Sequence, residues 1–117
     1  IEAGEELTPK MVGEEAEKGD ALSRHIILQT ARYLGIGIVN LMHTIDPNGI
    51  LIGGAMTFGG HENEIGRLFL ERTREEIRRR AYPILAEKTV IDYATLGGDA
   101  GYIGAAGIAR MEHLKKA

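Results

Sequence analysis

Apolar and polar positions alternate along this chain in two rhythms. Leu22, Ile26, Ala31 and Leu34 recur at helical spacing among polar neighbours, which predicts an amphipathic helix from residue 21. The pattern then closes up. LGIGIVNLMHTI is apolar on nearly every face, so the second half of the same helix, to about residue 44, is expected to be buried all round. Residues 50–53 form a short aliphatic run without polar alternation, which predicts a strand buried on both faces, as in parallel sheets. Helical spacing returns with Ile65, Leu68, Phe69 and Ile77 and predicts a helix over 64 to about 81. Tyr82-Pro83 stops it. A second strand is expected at 89–94, and a last helix follows from a cap at Asp99 to near 115.

The boundaries have chemical causes. Thr8-Pro9 supplies a hydroxyl cap and a proline at the first helical position, which predicts a short helix to about residue 18. Gly19 ends it and Asp20 caps the next. Asp46-Pro47-Asn48-Gly49 is turn chemistry. The expected order is ααβαβα, an α/β architecture with parallel pairing. Two strands make a marginal sheet, so the sheet is expected to be incomplete and the chain to belong to a larger fold or to need a partner.

Glycine is the unusual component. Sixteen occur in 117 residues, about twice the usual share of roughly 7%. They cluster at 35 and 37, at 53, 54, 59 and 60, and at 97, 98, 101, 104 and 107, beside aliphatic residues. These are glycines of packed structure. Gly35 and Gly37 each cost a helix about 1 kcal/mol relative to alanine, which close approach of another element would explain. Gly53-Gly54 at the end of an apolar run either terminates a strand or admits a ligand to the backbone.

Composition narrows the classes. Charged residues make up 26% and hydrophobic residues 44%, the balance of one globular domain or part of one. The net charge of -3 argues against a nucleic-acid surface or a basic membrane patch. The absence of cysteine excludes disulfides and thiolate metal sites in this chain and suits a cytoplasmic protein. No apolar run approaches the roughly 18 residues of a membrane span. The chain opens on Ile1 rather than Met.

Three stretches then carry a resemblance. GDALSR at 19–24, LGIGIVNLMHTIDPNGILIGGAM at 34–56 and LGGDAGYIGAAGIA at 96–109 resemble, in order and spacing, the C-terminal portion of the ROK family of bacterial glucokinases, related sugar kinases and sugar-responsive repressors. The resemblance implies the two-domain actin-like ATPase (ribonuclease H-like) fold, with residues 1–117 as its C-terminal nucleotide-side segment. It implies ATP, with Mg in the complete enzyme, as cofactor, and a hexose as phosphoryl acceptor. Gly53 and Gly54, followed by Ala55 and Met56, then map to the strand end that approaches adenosine, where a side chain would hold the nucleotide away. Gly101, Gly104 and Ala105 map to a small-residue helix packed at the interdomain connection. A helix packed tightly on its own sheet explains the same residues equally well.

The family's DxGGT-type phosphate loop, its catalytic aspartate, its ExGH sugar motif and its cysteine-rich zinc motif do not occur here. No catalytic residue and no metal ligand is therefore assigned, and the chain alone is expected to be inactive. Its expected partners are nucleotide and sugar in the complete protein, and the missing N-terminal half or further copies of itself. The alternative is the sugar-sensing segment of a ROK-type repressor, the one case in which nucleic acid enters. His25, His43, His61 and His113 show no ligand spacing. His43 reads as a structural histidine; His61, beside Glu62 and Glu64 after Gly59-Gly60, lies where a nucleotide-edge loop could sit, and a solvated loop is the simpler reading. ERTREEIRRR at 71–80 reads as an exposed salt-bridged face. Asp92 and Asp99 could be read as a carboxylate pair, but a polar strand residue and a helix cap explain them more simply.

Overall fold

Helix starts follow the caps. The Thr8 hydroxyl accepts from the Met11 N–H at 3.3 Å and Pro9 opens α1, Pro9–Glu17. Gly19, at φ +97°, turns the chain where a side chain would be strained. Asp20 accepts from the Ser23 N–H at 2.7 Å and opens α2, Ala21–Ile45. The structure is a computed structural model that describes residues 6–116. After α2 come β1 (Gly49–Ile52), α3 (Glu64–Arg80), α4 (Pro83–Lys88), β2 (Val90–Tyr93) and α5 (Ala100–Lys116). Three 3-10 turns, Gly54–Thr57, Gly60–Glu62 and Gly97–Asp99, connect them.

The expected order gains one element, α4. Tyr82-Pro83 does end α3, but Pro83 also takes the first position of a six-residue helix, where its missing N–H goes unneeded.

β1 and β2 pair in parallel, with Gly49 opposite Val90 and Ile52 opposite Tyr93. Side chains alternate across a strand, so Ile50, Ile52, Ile91 and Tyr93 share one face and Leu51, Val90 and Asp92 the other. The first face joins the core built by Ile27, Ile38, Val39 and Met42 of α2 and Ile65, Phe69, Leu70 and Ile77 of α3. On the second, Leu51 and Val90 remain 67% and 59% exposed. Burial on both faces was expected, yet one face alone is covered among the described residues.

The buried stripe of α2 is Ser23, Ile27, Ala31, Gly35, Ile38, Val39 and Met42. Of the expected stripe, Ala31 is buried and Leu34 half-buried, while Leu22 and Ile26 face outward. Row 22–26 continues into Thr30, whereas row 23–27 continues into Ala31 and Gly35, the small residues that let α3 come close. Leu41 and Ile45 are exposed, so the second half of α2 is covered on one side and not all round. On α3, Leu68 likewise lies outside the stripe of Ile65, Phe69 and Ile77.

Contact between α2 and α3 is close enough to constrain composition. A Cβ at Gly35 would lie 3.0 Å from the Thr73 carbonyl oxygen, whereas one at Gly37 would meet nothing within 4 Å. Thr73 is buried and donates to the Phe69 carbonyl at 2.9 Å. The segment 71–80 is not a uniformly exposed face. Glu76 is fully buried, bonded to Arg80, 3.0 Å from Arg72 and 3.9 Å from Arg32 of α2. The Arg80 hydrogen bond holds the Glu76 carboxyl below its ordinary value against the opposing effect of burial, and Arg72 and Arg79 add to it.

Arg74 turns toward the sheet. Its Nε and Nη2 donate to the Ile91 carbonyl at 3.0 and 2.6 Å. The Tyr93 N–H donates to Asp92 Oδ1 at 2.8 Å. Val90 and Ala94 donate their N–H groups to Asn48 and Ile52, so Ile91 and Tyr93 present theirs on the edge of β2 away from β1.

Helix α5 is exposed along its described length. The radius of gyration, 17.8 Å, exceeds the about 13 Å of a compact chain this long. No helix among the described residues is long and apolar enough to cross a membrane.

Candidate functional site

Three glycine pairs converge on one cleft of about 740 Å³: Gly53-Gly54 after β1, Gly59-Gly60 before α3, and Gly97-Gly98 before α5. Leu51, Tyr93, Ala94, Thr95 and Leu96 complete most of its lining. The cleft therefore sits at the carboxyl ends of both parallel strands, where open α/β sheets place ligands.

Local geometry explains why the chain turns on glycine here. The backbone leaves β1 extended at Gly53 and reaches φ +74° at Gly54, a conformation that L side chains avoid. A Cβ at Gly54 would meet no protein atom within 4 Å, so the backbone angle demands glycine here and neighbouring atoms do not. Gly59 answers to crowding as well, because a Cβ there would lie 2.7 Å from the Asn63 Cβ. Gly98 needs neither, since an added Cβ meets nothing and its φ is not left-handed.

The lining holds no charged side chain. Its polar side chains are Thr57, Thr95 and Tyr93. Thr57 donates to the Gly54 carbonyl at 3.2 Å. Tyr93 donates to the Gly66 carbonyl at 2.7 Å, and burial pushes its phenol up to about 12, so it is a neutral donor at physiological pH. Backbone groups, hydroxyls and apolar surface suit an uncharged planar moiety. No lining side chain carries a charge that would pair with a phosphate group. Among the described residues no group of three His, Asp or Glu is placed to hold a metal ion.

Gly53 and Gly54 thus lie in the lining, while Ala55 and Met56 follow in the exposed turn Gly54–Thr57 and do not line the cleft. Gly101, Gly104 and Ala105 lie on α5, exposed, and a Cβ at either glycine would meet nothing within 4 Å. α5 therefore does not pack tightly on the sheet of this chain. Ala100 is its residue in the cleft lining. Gly59-Gly60 and Gly97-Gly98 join Gly53-Gly54 in the lining. Their common signal is the doubled glycine next to a strand or an expected helix.

At the rim, His61 Nε2 lies 2.7 Å from Asp92 Oδ1, and the His61 ring meets Tyr93 edge-on at 5.4 Å. The Tyr93 N–H, more than any other group, holds the Asp92 carboxyl below its ordinary value. His61 and Arg74 assist, and partial burial opposes. The solvated loop expected at His61 is thereby tied to β2. His43 accepts from the Tyr82 N–H at 3.3 Å and stacks on the Tyr82 ring at 4.6 Å, in keeping with the structural role read for it.

Residues 2–112 match the family described as ROK family. A xylose repressor of Caldicellulosiruptor bescii is 35% identical over 78 residues, covering 67% of this chain and 18% of that protein. A glucokinase of Halalkalibacterium halodurans is 31% identical over 106 residues, 91% of this chain and 30% of the enzyme. A crystal structure described as that of a sugar kinase from Cytophaga hutchinsonii superposes with a TM-score of 0.74 at 28% identity, over 92% of this chain and 34% of that one. The chain therefore spans about a third or less of each of these relatives. The architecture is an α/β segment of the actin-like ATPase fold with an incomplete, two-stranded parallel sheet.

Proposed function

The chain belongs to the ROK family, and from that premise we propose that it forms the C-terminal, nucleotide-side segment of an ATP-dependent sugar kinase of the glucokinase type. The observation that supports this most is the uncharged cleft lined by three glycine pairs at the carboxyl ends of β1 and β2. In this proposal Gly53, Gly54, Gly97 and Gly98 lie against adenosine, with Thr95 offering a hydroxyl beside them. ATP with its Mg ion would supply the phosphoryl group. Nothing in the cleft lining would take a proton from a sugar hydroxyl, and nothing there is charged enough to cradle the phosphates, so both tasks fall to residues beyond this segment. A cytoplasmic location follows from the substrate pair.

A second proposal has its own support in the identity shared with a xylose repressor. There the segment would belong to a sugar-sensing domain that catalyses nothing. The two separate in one experiment on the full-length protein that carries this segment. Calorimetry with an ATP analogue and with glucose, alongside a phosphorylation assay, should show binding of both and turnover. Sugar binding without nucleotide binding or turnover would favour the repressor.

A further inference from the structure

His61 and Asp92 stand 31 residues apart in sequence and neither lines the cleft, yet each directly adjoins residues that do. His61 follows Gly59 and Gly60. Asp92 precedes Tyr93, Ala94 and Thr95. One short bond between them therefore joins two walls of the cleft. The surrounding contacts favour a fixed geometry over a chance surface pairing. Asp92 Oδ1 accepts from the Tyr93 N–H at 2.8 Å as well as facing His61 Nε2 at 2.7 Å. Arg67 Nη1 donates to the His61 carbonyl at 2.7 Å, and Arg74 stands 3.8 Å behind Asp92. Beneath the loop, a Cβ at Gly66 would lie 2.2 Å from the Gly60 oxygen, so α3 presses on the glycine wall from below. Tyr93, its hydroxyl bonded to Gly66, faces Gly60 at 3.8 Å from the site of a Cβ.

We infer that the His61–Asp92 pair is a clasp that positions the Gly59–Gly60 wall against β2, and so sets the width of the cleft and its affinity for nucleotide without touching the ligand. This rests on the nucleotide proposal above. The two residues are positioning residues. His61 holds the bond in either protonation state, because the neutral ring can donate Nε2–H and the imidazolium must. Both side chains are substantially solvent-exposed, which limits the effect to that of an exposed ion pair.

The test uses the full-length protein, with dissociation constants for a non-hydrolysable ATP analogue and for glucose measured by calorimetry. His61→Ala and Asp92→Ala should each weaken the ATP analogue by about fivefold and leave glucose unchanged. His61→Gln, which keeps a donor, should restore most of the loss. The double alanine variant should be no weaker than Asp92→Ala alone, because the two act through one bond. Unchanged nucleotide affinity in both alanine variants overturns the clasp. Equal losses for glucose, or multiplied losses in the double variant, also overturn it. Should an alanine variant fail to fold, His61→Gln and Asp92→Asn carry the same comparison, with the asparagine variant expected to be the weaker. Wild-type protein that binds glucose but no nucleotide brings down the nucleotide proposal and the clasp with it, whereas nucleotide binding that is indifferent to these substitutions brings down the clasp alone.

Discussion

A Cβ placed on Gly35 would stand 2.9 Å from the Cβ of Glu76. α2 and α3 meet here with no room for a methyl group, and this contact helps to seal the Glu76 carboxylate from water among Arg32, Arg72 and Arg80. A single turn of α2 carries two glycines with opposite circumstances, since Gly37 faces open space.

Gly35→Ala should therefore destabilise the chain by about 1–3 kcal/mol through overpacking. Gly37→Ala should stabilise it by about 0.5–1 kcal/mol through the unfolded state. Urea unfolding of both variants checks the pair. A loss at Gly37 would mean that a neighbour covers the outer face of α2.

Glu76 makes stability depend on pH in a definite direction. Its carboxyl is held below its ordinary value in the folded state by the Arg80 hydrogen bond first. The contribution is therefore present above the unfolded value, about 4.3, and is lost as pH falls through the lower folded value. Glu76→Gln should have a lower urea midpoint than wild type at pH 7. The gap should narrow as the pH is taken below about 4. A gap that stays constant from pH 7 to pH 3 would show that the charge on Glu76 is not what stabilises.

The glycines of the cleft separate backbone strain from ligand space. Gly98→Val adds a side chain that meets nothing in the protein and needs no left-handed angle. Its stability should stay within about 0.5 kcal/mol of wild type, while, under the kinase proposal, the nucleotide Michaelis constant of the full-length protein rises strongly and that of the sugar rises little. Gly54→Val should raise the nucleotide constant too, but at φ +74° it also strains the backbone by about 1–3 kcal/mol. If Gly98→Val leaves nucleotide kinetics untouched, the adenosine assignment of this cleft falls.

Expressed alone, the 117-residue chain should self-associate and should not phosphorylate glucose. Leu51 and Val90 on the open sheet face, Leu41 and Ile45 on α2, and Ile108, Met111 and Leu114 on α5 all stay exposed, more apolar surface than a monomer normally presents. Light scattering at dilute concentration and a coupled kinase assay check both statements. A monomer with one cooperative unfolding transition would contradict the first, and turnover free of contaminants the second.

Capping chemistry was legible because it is local. Thr8, Asp20 and Gly19 act on neighbours within four residues, and all three did what their side chains or their lack of one dictated. The face of α2 was harder to read, since Leu22 and Ile26 make one row more apolar than Ser23 and Ile27 make the next, and only the close approach of α3 selects the second row, which continues into Ala31 and Gly35. Gly53 and Gly54 were readable as a doubled glycine after an apolar run. His61 and Asp92 were not, because no sequence spacing records that a loop and a strand end will meet. Glu76 was misread for a related reason. Its arginine partners at i-4 and i+4 look like those of any exposed pair, and its burial comes from a glycine on another helix.

The side chains along the outer edge of β2 decide how a larger sheet is assembled. Arg74 occupies the Ile91 carbonyl and Asp92 occupies the Tyr93 N–H, so that border offers little to an incoming strand. Recruitment of further strands is thereby directed to the opposite border, beside β1. A sheet guarded on one side and receptive on the other grows in a single direction.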